Sequence, residues 1–96
     1  TRKADRAQAA ADRQARLMAR RPLMKEIEQI DKRLAVWNRE KGEIEVRLAD
    51  SALYTGQQAG EVPMLNKRLA ELAQHIEEAE LRWLELHETL ETIPAN

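Results

Sequence analysis

Apolar residues recur along this chain in alternating steps of four and three. The first series is Leu23, Ile27, Ile30, Leu34, Trp37, Lys41, Ile44 and Leu48, in which Lys41 is the polar member. The second is Val62, Leu65, Leu69, Leu72, Ile76, Ala79, Trp83, Leu86, Leu90 and Ile93, with no polar interruption. In heptad letters every member takes an a or a d position. Steps averaging 3.5 residues lay a narrow apolar stripe along a helix, and most of the residues between are charged. Neither helix can bury such a stripe alone, so each requires a partner. The spacing predicts one helix over about residues 22–49 and a second over about 62–93.

The link over about 50–61 is short and holds Gly56 and Gly60. Pro63 follows it and suits the first turn of a helix, where a missing N–H costs little. A connection of this length favours antiparallel neighbours. The expected fold is therefore all-α, an antiparallel two-helix coiled-coil hairpin. Pairing outward from the tip brings Leu48 near Val62 and Leu65, and Lys41 near Leu69 and Leu72. Trp37 falls near Leu72 and Ile76, Ile30 near Ala79 and Trp83, and Leu23 near Leu86 and Leu90. Lys41 can leave its stem in the seam and lift its ammonium to water. A polar a position also helps to fix register. Tyr54, in the loop, is expected to lock the turn against the helix ends. At the open end, Leu17 or Met18 is expected to cover Ile93. Closure through a short linker favours pairing within one molecule, so the isolated chain is expected to be a monomer.

Composition supports this picture. Of 96 residues, 34% are charged and 3% aromatic, with no Phe, and most apolar residues are the helix formers Leu and Ala. An all-β domain and an α/β domain with a ligand cleft are both poor fits. With no Cys there is no disulfide framework or thiolate metal site. No apolar run reaches the roughly 18–20 residues that span a bilayer, and no signal-peptide pattern is present. The chain opens on Thr1 rather than Met, which suggests a piece of something longer.

Charge is unevenly spread. Residues 1–25 carry eight basic and two acidic side chains, a net of six positive; residues 26–96 carry eight basic and fifteen acidic, a net of seven negative. Residues 1–21 thus form a basic arm, helical or partly disordered, expected to be separated from the hairpin over 22–96 by a break or kink at Pro22. Carrying the heptad back through Pro22 puts Arg20, Arg16, Arg13, Ala9, Arg6 and Arg2 on the a and d positions. The stripe that is apolar after Pro22 is cationic before it. Ala4, Ala7, Ala11, Ala15 and Met18 lie toward another side and could dock on a neighbouring domain. Arg21 adds charge just before the proline, and beyond it Lys25, Lys32 and Arg39 recur every seven residues at outer f positions. Arginine keeps its charge and can hold two phosphate oxygens at once. The candidate nucleic-acid-binding residues are therefore Arg6, Arg13, Arg16, Arg20, Arg21, Lys25, Lys32 and Arg39. The plainer alternative is a solvated face that keeps the chain soluble.

Nothing in the sequence assembles a catalytic site. There is no Gly-rich phosphate loop. His75 and His87 are twelve residues apart with no His or Cys partner at i+4, so they read as exposed heptad flanks rather than metal ligands. Trp37 and Trp83 lie on the seam and read as core.

One stretch is more specific. The turn LADSALY, Leu48 to Tyr54, is preceded by PLMKEIEQIDKRL, Pro22 to Leu34, and followed by NKRLAEL, Asn66 to Leu72, and EEAELRWLEL, Glu77 to Leu86. Over roughly residues 1–93 this combination resembles the C-terminal domain of ABC-F proteins, of the Uup and YheS types. Gly60, Glu61, Val62 and Pro63 depart from the charged, Pro-free start of the second helix usual there. The resemblance implies a non-catalytic accessory domain attached to a cytoplasmic ATPase. ATP and Mg would belong to the parent's cassettes, with no cofactor in this segment. It also implies DNA, or ribosomal RNA on the ribosome, as a partner, with no membrane contact. The alternative is a structural or protein-interaction coiled coil that docks on the parent's own cassettes or on another protein.

Overall fold

A computed structural model describes residues 1–95; residue 96, the last of the expected hairpin segment, lies outside them. The described chain is helical, with no strand. Helix α1 spans Arg2–Ala49, a 3₁₀ turn spans Ser51–Tyr54, and helix α2 spans Glu61–Glu91. The first helix ends at Ala49, the residue that the periodicity predicts. The second begins one residue earlier than expected and stops two residues sooner, in a turn where the Thr92 and Ile93 amides donate to the Thr89 and Leu90 carbonyls.

The expected start of the first helix near residue 22 is corrected. The helix continues unbroken through Pro22 to Arg2, so the arm is helical and joined to the helix of the hairpin. Pro22 removes one N–H and leaves the Met18 carbonyl without its usual helical donor. Around it, residues 3–20 are rich in Ala, Arg and Gln, all good helix formers, and the turns beyond Leu23 are packed. One lost bond does not outweigh that much favourable helix on both sides.

The contacts divide the described chain into two compact units, residues 1–30 with 82–95, and residues 31–81. Within the second, Arg47 bonds Glu61 and Arg68 bonds Glu40, so a step of seven residues back along α1 is matched by seven forward along α2. The helices there are antiparallel. Within the first, Arg82 bonds Glu26 while Arg20 reaches Leu90 and Ile93, again in opposite directions. The fold is the helical hairpin that the spacing predicts.

Every position of the two apolar series is buried or half-buried, while most positions between them are exposed. Ile27, Ile30 and Leu86 are buried in the first unit, and Ile44, Leu72 and Ile76 in the second. Leu72 and Leu86 are completely enclosed, at 0% and 1% exposure. Lys41 is half-buried, and its ammonium sits 3.9 Å from Glu45, one turn on. This is the arrangement in which the stem stays in the seam and the charge reaches water.

Local chemistry closes the tip. The Asp50 side chain accepts from the Ala52 amide at 3.0 Å and caps the 3₁₀ turn. Leu53 is driven inward to 3% exposure. The Tyr54 hydroxyl donates to the Leu48 carbonyl at 2.6 Å, so Tyr54 does lock the turn to the end of α1. Gln58 and Ala59 carbonyls accept from the first amides of α2, which would otherwise lack partners.

Candidate nucleic-acid interface

The candidate residues lie on α1, and the structure sorts them. Residues 1–15 are exposed throughout, so Arg6 and Arg13 stand in water. At 3.6 residues per turn, Arg2, Arg6, Arg13, Arg16 and Arg20 fall within about a quarter of the helix circumference. Asp5 and Asp12 border that strip. The strip is exposed only as far as Arg13. Arg16 and Arg20 are half-buried, and the Arg16 Nε is enclosed without a hydrogen-bond partner. Arg21 and Lys25, on another side of the same unit, are exposed. In the second unit Lys32 and Arg39 are exposed.

Arg20 is committed elsewhere. Its Nη1 donates to the Leu90 carbonyl at 3.1 Å and to the Ile93 carbonyl at 2.6 Å. The Leu90 carbonyl, which also accepts from the Ile93 amide, sits at the negative end of the α2 dipole, and the Ile93 carbonyl lies just past the helix, so a guanidinium there is favoured by charge and supplies a donor. Arg20, which the spacing does not single out for this, thus joins the candidates Leu17 and Met18 at the Ile93 end. Leu17 remains 41% and Met18 56% exposed. Beside it, a cavity of about 260 Å³ opens between Arg20, His87 and the segment from Leu90 to Ala95.

Ion pairs join α1 to α2 at Glu26 with Arg82, Glu40 with Arg68, and Arg47 with Glu61. All six residues occupy g positions, which face one another in an antiparallel pair of helices. Arg82 holds Glu26 with two bonds of 2.9 and 3.0 Å. Arg68 also holds both oxygens of Glu40. Those bonds keep the Glu40 carboxyl below the usual carboxylate range and push Arg68 up. Bonds from Arg82 to Glu26, and then to Glu85, push Arg82 up as well. These arginines serve the pairing of the helices. The heptad lettering that gives the seam also marks Arg47, Arg68 and Arg82 as cross-helix partners.

The aromatic residues behave as core. Trp37 and Trp83 are half-buried on the seam, and each lies against a histidine. His75 reaches across from α2 to stack on Trp37, with centroids 5.4 Å apart and planes 22° apart. His87, one turn beyond Trp83, tilts onto it at 4.0 Å. His75 is exposed, as expected for a flank. His87 is not: it is half-buried and its Nε2 is enclosed without a partner. Among the described residues, no group of three His, Asp or Glu side chains is placed to hold a metal ion. Among them, too, no helix is long and apolar enough to cross a membrane.

The described chain is a helical hairpin that carries charged side chains along its surface. The match to known families agrees: over residues 19–88 the chain fits the ABC transporter C-terminal domain, and it belongs to that family. This bears out the resemblance carried by the Leu48–Tyr54 turn and its flanks. The chain is an accessory domain of an ABC protein, distinct from the ATP-hydrolysing domain. No curated protein and no solved structure matches it.

Proposed function

We propose that this accessory domain binds nucleic acid, DNA or ribosomal RNA, through the basic face of α1. The observation that carries the reading is the N-terminal part of α1: a helix exposed on all sides over residues 2–15, with Arg2, Arg6 and Arg13 on one strip. An exposed helix whose apolar side is mostly alanine has little to gain from folding onto its own chain. A row of guanidinium groups on such a helix suits a surface of regularly spaced phosphates. Arg21 and Lys25 add exposed charge in the same unit, and Lys32 and Arg39 supply a second cationic contribution further along α1. The acidic composition of residues 26–96 limits the strength of binding by the isolated domain. The parent would be a cytoplasmic ABC-F ATPase that holds ATP and Mg in its cassettes.

Binding of this type is largely independent of base sequence and depends on counterion release. Titration of the chain with labelled DNA and RNA at two salt concentrations tests it. Affinity should fall steeply as salt rises, and should be lost when Arg6 and Arg13 are both changed to Glu. Binding that is absent at low salt, or indifferent to those changes, would exclude the reading. The exposed Ala4, Ala7, Ala11, Ala15 and Met18 favour a second one, docking on the parent's cassettes or another protein. Under it, nucleic-acid binding is absent and the bulky changes Ala7→Glu and Ala11→Glu abolish association with the cassettes.

A further inference from the structure

The first arm residues before Pro22 include one side chain that bonds to the opposite helix. We propose that Arg20 is a positioning residue: by holding the Leu90 and Ile93 carbonyls it fixes the direction of the basic arm, and it does not itself contact phosphate. The phosphate clause rests on the nucleic-acid reading; the positioning clause does not.

Three observations converge on Arg20. Pro22 leaves α1 one backbone bond short at the junction of arm and hairpin, so this is the place where the helix most readily bends. Arg20 lies two residues to the arm side of that weak point and reaches across to the end of α2 with bonds of 3.1 and 2.6 Å. A bend at Pro22 would carry Arg20 away from both carbonyls, so the two bonds oppose it. Both Nη1 hydrogens are thereby committed to carbonyls, and the half-buried side chain is held against the end of α2 rather than out along the exposed strip. Arg13, two turns further out, has neither constraint. It is exposed, and its position relative to the hairpin depends on how the helix is held at Arg20.

The relation between the two helix ends is also mutual. The last turn of α2 and the turn after it present the Leu90 and Ile93 carbonyls to the guanidinium, and the Ile93 amide ties the two together by donating to Leu90. Replacing the guanidinium with a neutral side chain would leave the Ile93 carbonyl to water, and the Leu90 carbonyl with the Ile93 amide alone, and release the arm.

The chain has no Cys, so paired spin labels can be placed cleanly at Ala10→Cys and Glu88→Cys, both exposed and both in one compact unit. Pulsed electron resonance should give a narrow distance distribution in the labelled parent chain. Arg20→Gln should broaden it at least twofold, with helix content by circular dichroism unchanged, and Arg13→Gln should not. A distribution unchanged by Arg20→Gln overturns the positioning role. With a labelled DNA duplex, Arg13→Gln should reduce the slope of log affinity against log salt by about 0.9, the loss of one phosphate contact. Arg20→Gln should lower affinity several-fold at fixed salt and leave that slope as it was. A slope reduced by Arg20→Gln as by Arg13→Gln would make Arg20 a contact and overturn the proposal. If the parent chain binds no nucleic acid, the distance measurement still decides the positioning clause, and only the functional reading fails.

Discussion

Glu40 on α1 and Arg68 on α2 grip each other across the helices, with Nη2 3.0 Å from Oε1 and Nε bonded to the second oxygen. The grip holds only while Glu40 is ionised. Its pKa is lowered in the folded chain, chiefly by the Arg68 bonds. A carboxyl with a lowered folded pKa adds stability above its unfolded pKa and loses it as pH falls through the folded one. Resistance to urea should therefore decline from about pH 4.5 downward. Glu40→Gln should flatten that part of the profile and lower stability modestly at neutral pH, since the pair is partly exposed and screened by water. A denaturation series across pH 2–7 (about that range) measures both; an unaltered acid profile in Glu40→Gln would show that the pair adds nothing.

Leu72 tests the seam. It is fully enclosed, whereas Met64 on the same helix is 73% exposed. Truncating a buried leucine removes its transfer energy and leaves a cavity, together about 2–5 kcal/mol. A two-helix layer can close in on a gap more easily than a thick core, so Leu72→Ala should fall near the lower end. Met64→Ala should shift the unfolding midpoint little. Equal shifts for the two variants would contradict the assignment of the stripe as core.

How much of this was legible in the sequence depended on the range of the interaction. The seam was read residue by residue, because burial of a stripe is dictated by period alone, and even the exception, Lys41, follows from its long stem. The Tyr54 lock is legible too, since it acts on backbone only six residues away. Arg20 was not. As a continuation of the heptad it looked like a surface cation, and nothing local reveals that the last carbonyls of α2 end opposite it. Pro22 misled for the reverse reason. Its local cost is real, but the helical preference of the flanking residues outweighs it. His87 shared the fate of Arg20: a flank position by spacing, it is covered because Trp83 lies one turn away.

The tip should be sensitive to the loss of one hydroxyl. Tyr54 is 51% exposed, yet its oxygen lies 2.6 Å from the Leu48 carbonyl. Tyr54→Phe keeps the ring and removes the bond, at a cost of about 1 kcal/mol. Because the bond joins residues six apart, its loss should act on the turn first. Amide hydrogen exchange at Leu53, whose N–H donates to Asp50, should accelerate in the variant, with exchange at Leu72 changed only by the global loss of stability. Unaltered exchange at Leu53 would mean that the turn is held by Asp50 and the buried Leu53 alone.

Two positions in α1 can be improved. Gly42 lies inside the helix, its φ is not positive, and an added Cβ would meet nothing within 4 Å. Alanine there loses less backbone entropy on folding and introduces no clash, so Gly42→Ala should stabilise the chain by about 1 kcal/mol. Pro22 is the second, and its mechanism differs. Pro22→Ala restores an N–H that can donate to the Met18 carbonyl, so the gain should be concentrated in the turns around residue 22. Exchange measurements separate the two. Gly42→Ala should slow exchange in the unit of residues 31–81, and Pro22→Ala should slow it between about residues 18 and 26. If Pro22→Ala instead leaves those amides unprotected, the helix on the arm side of the proline is not held by the contacts that join it to α2, and the continuity of α1 through Pro22 does not persist in solution.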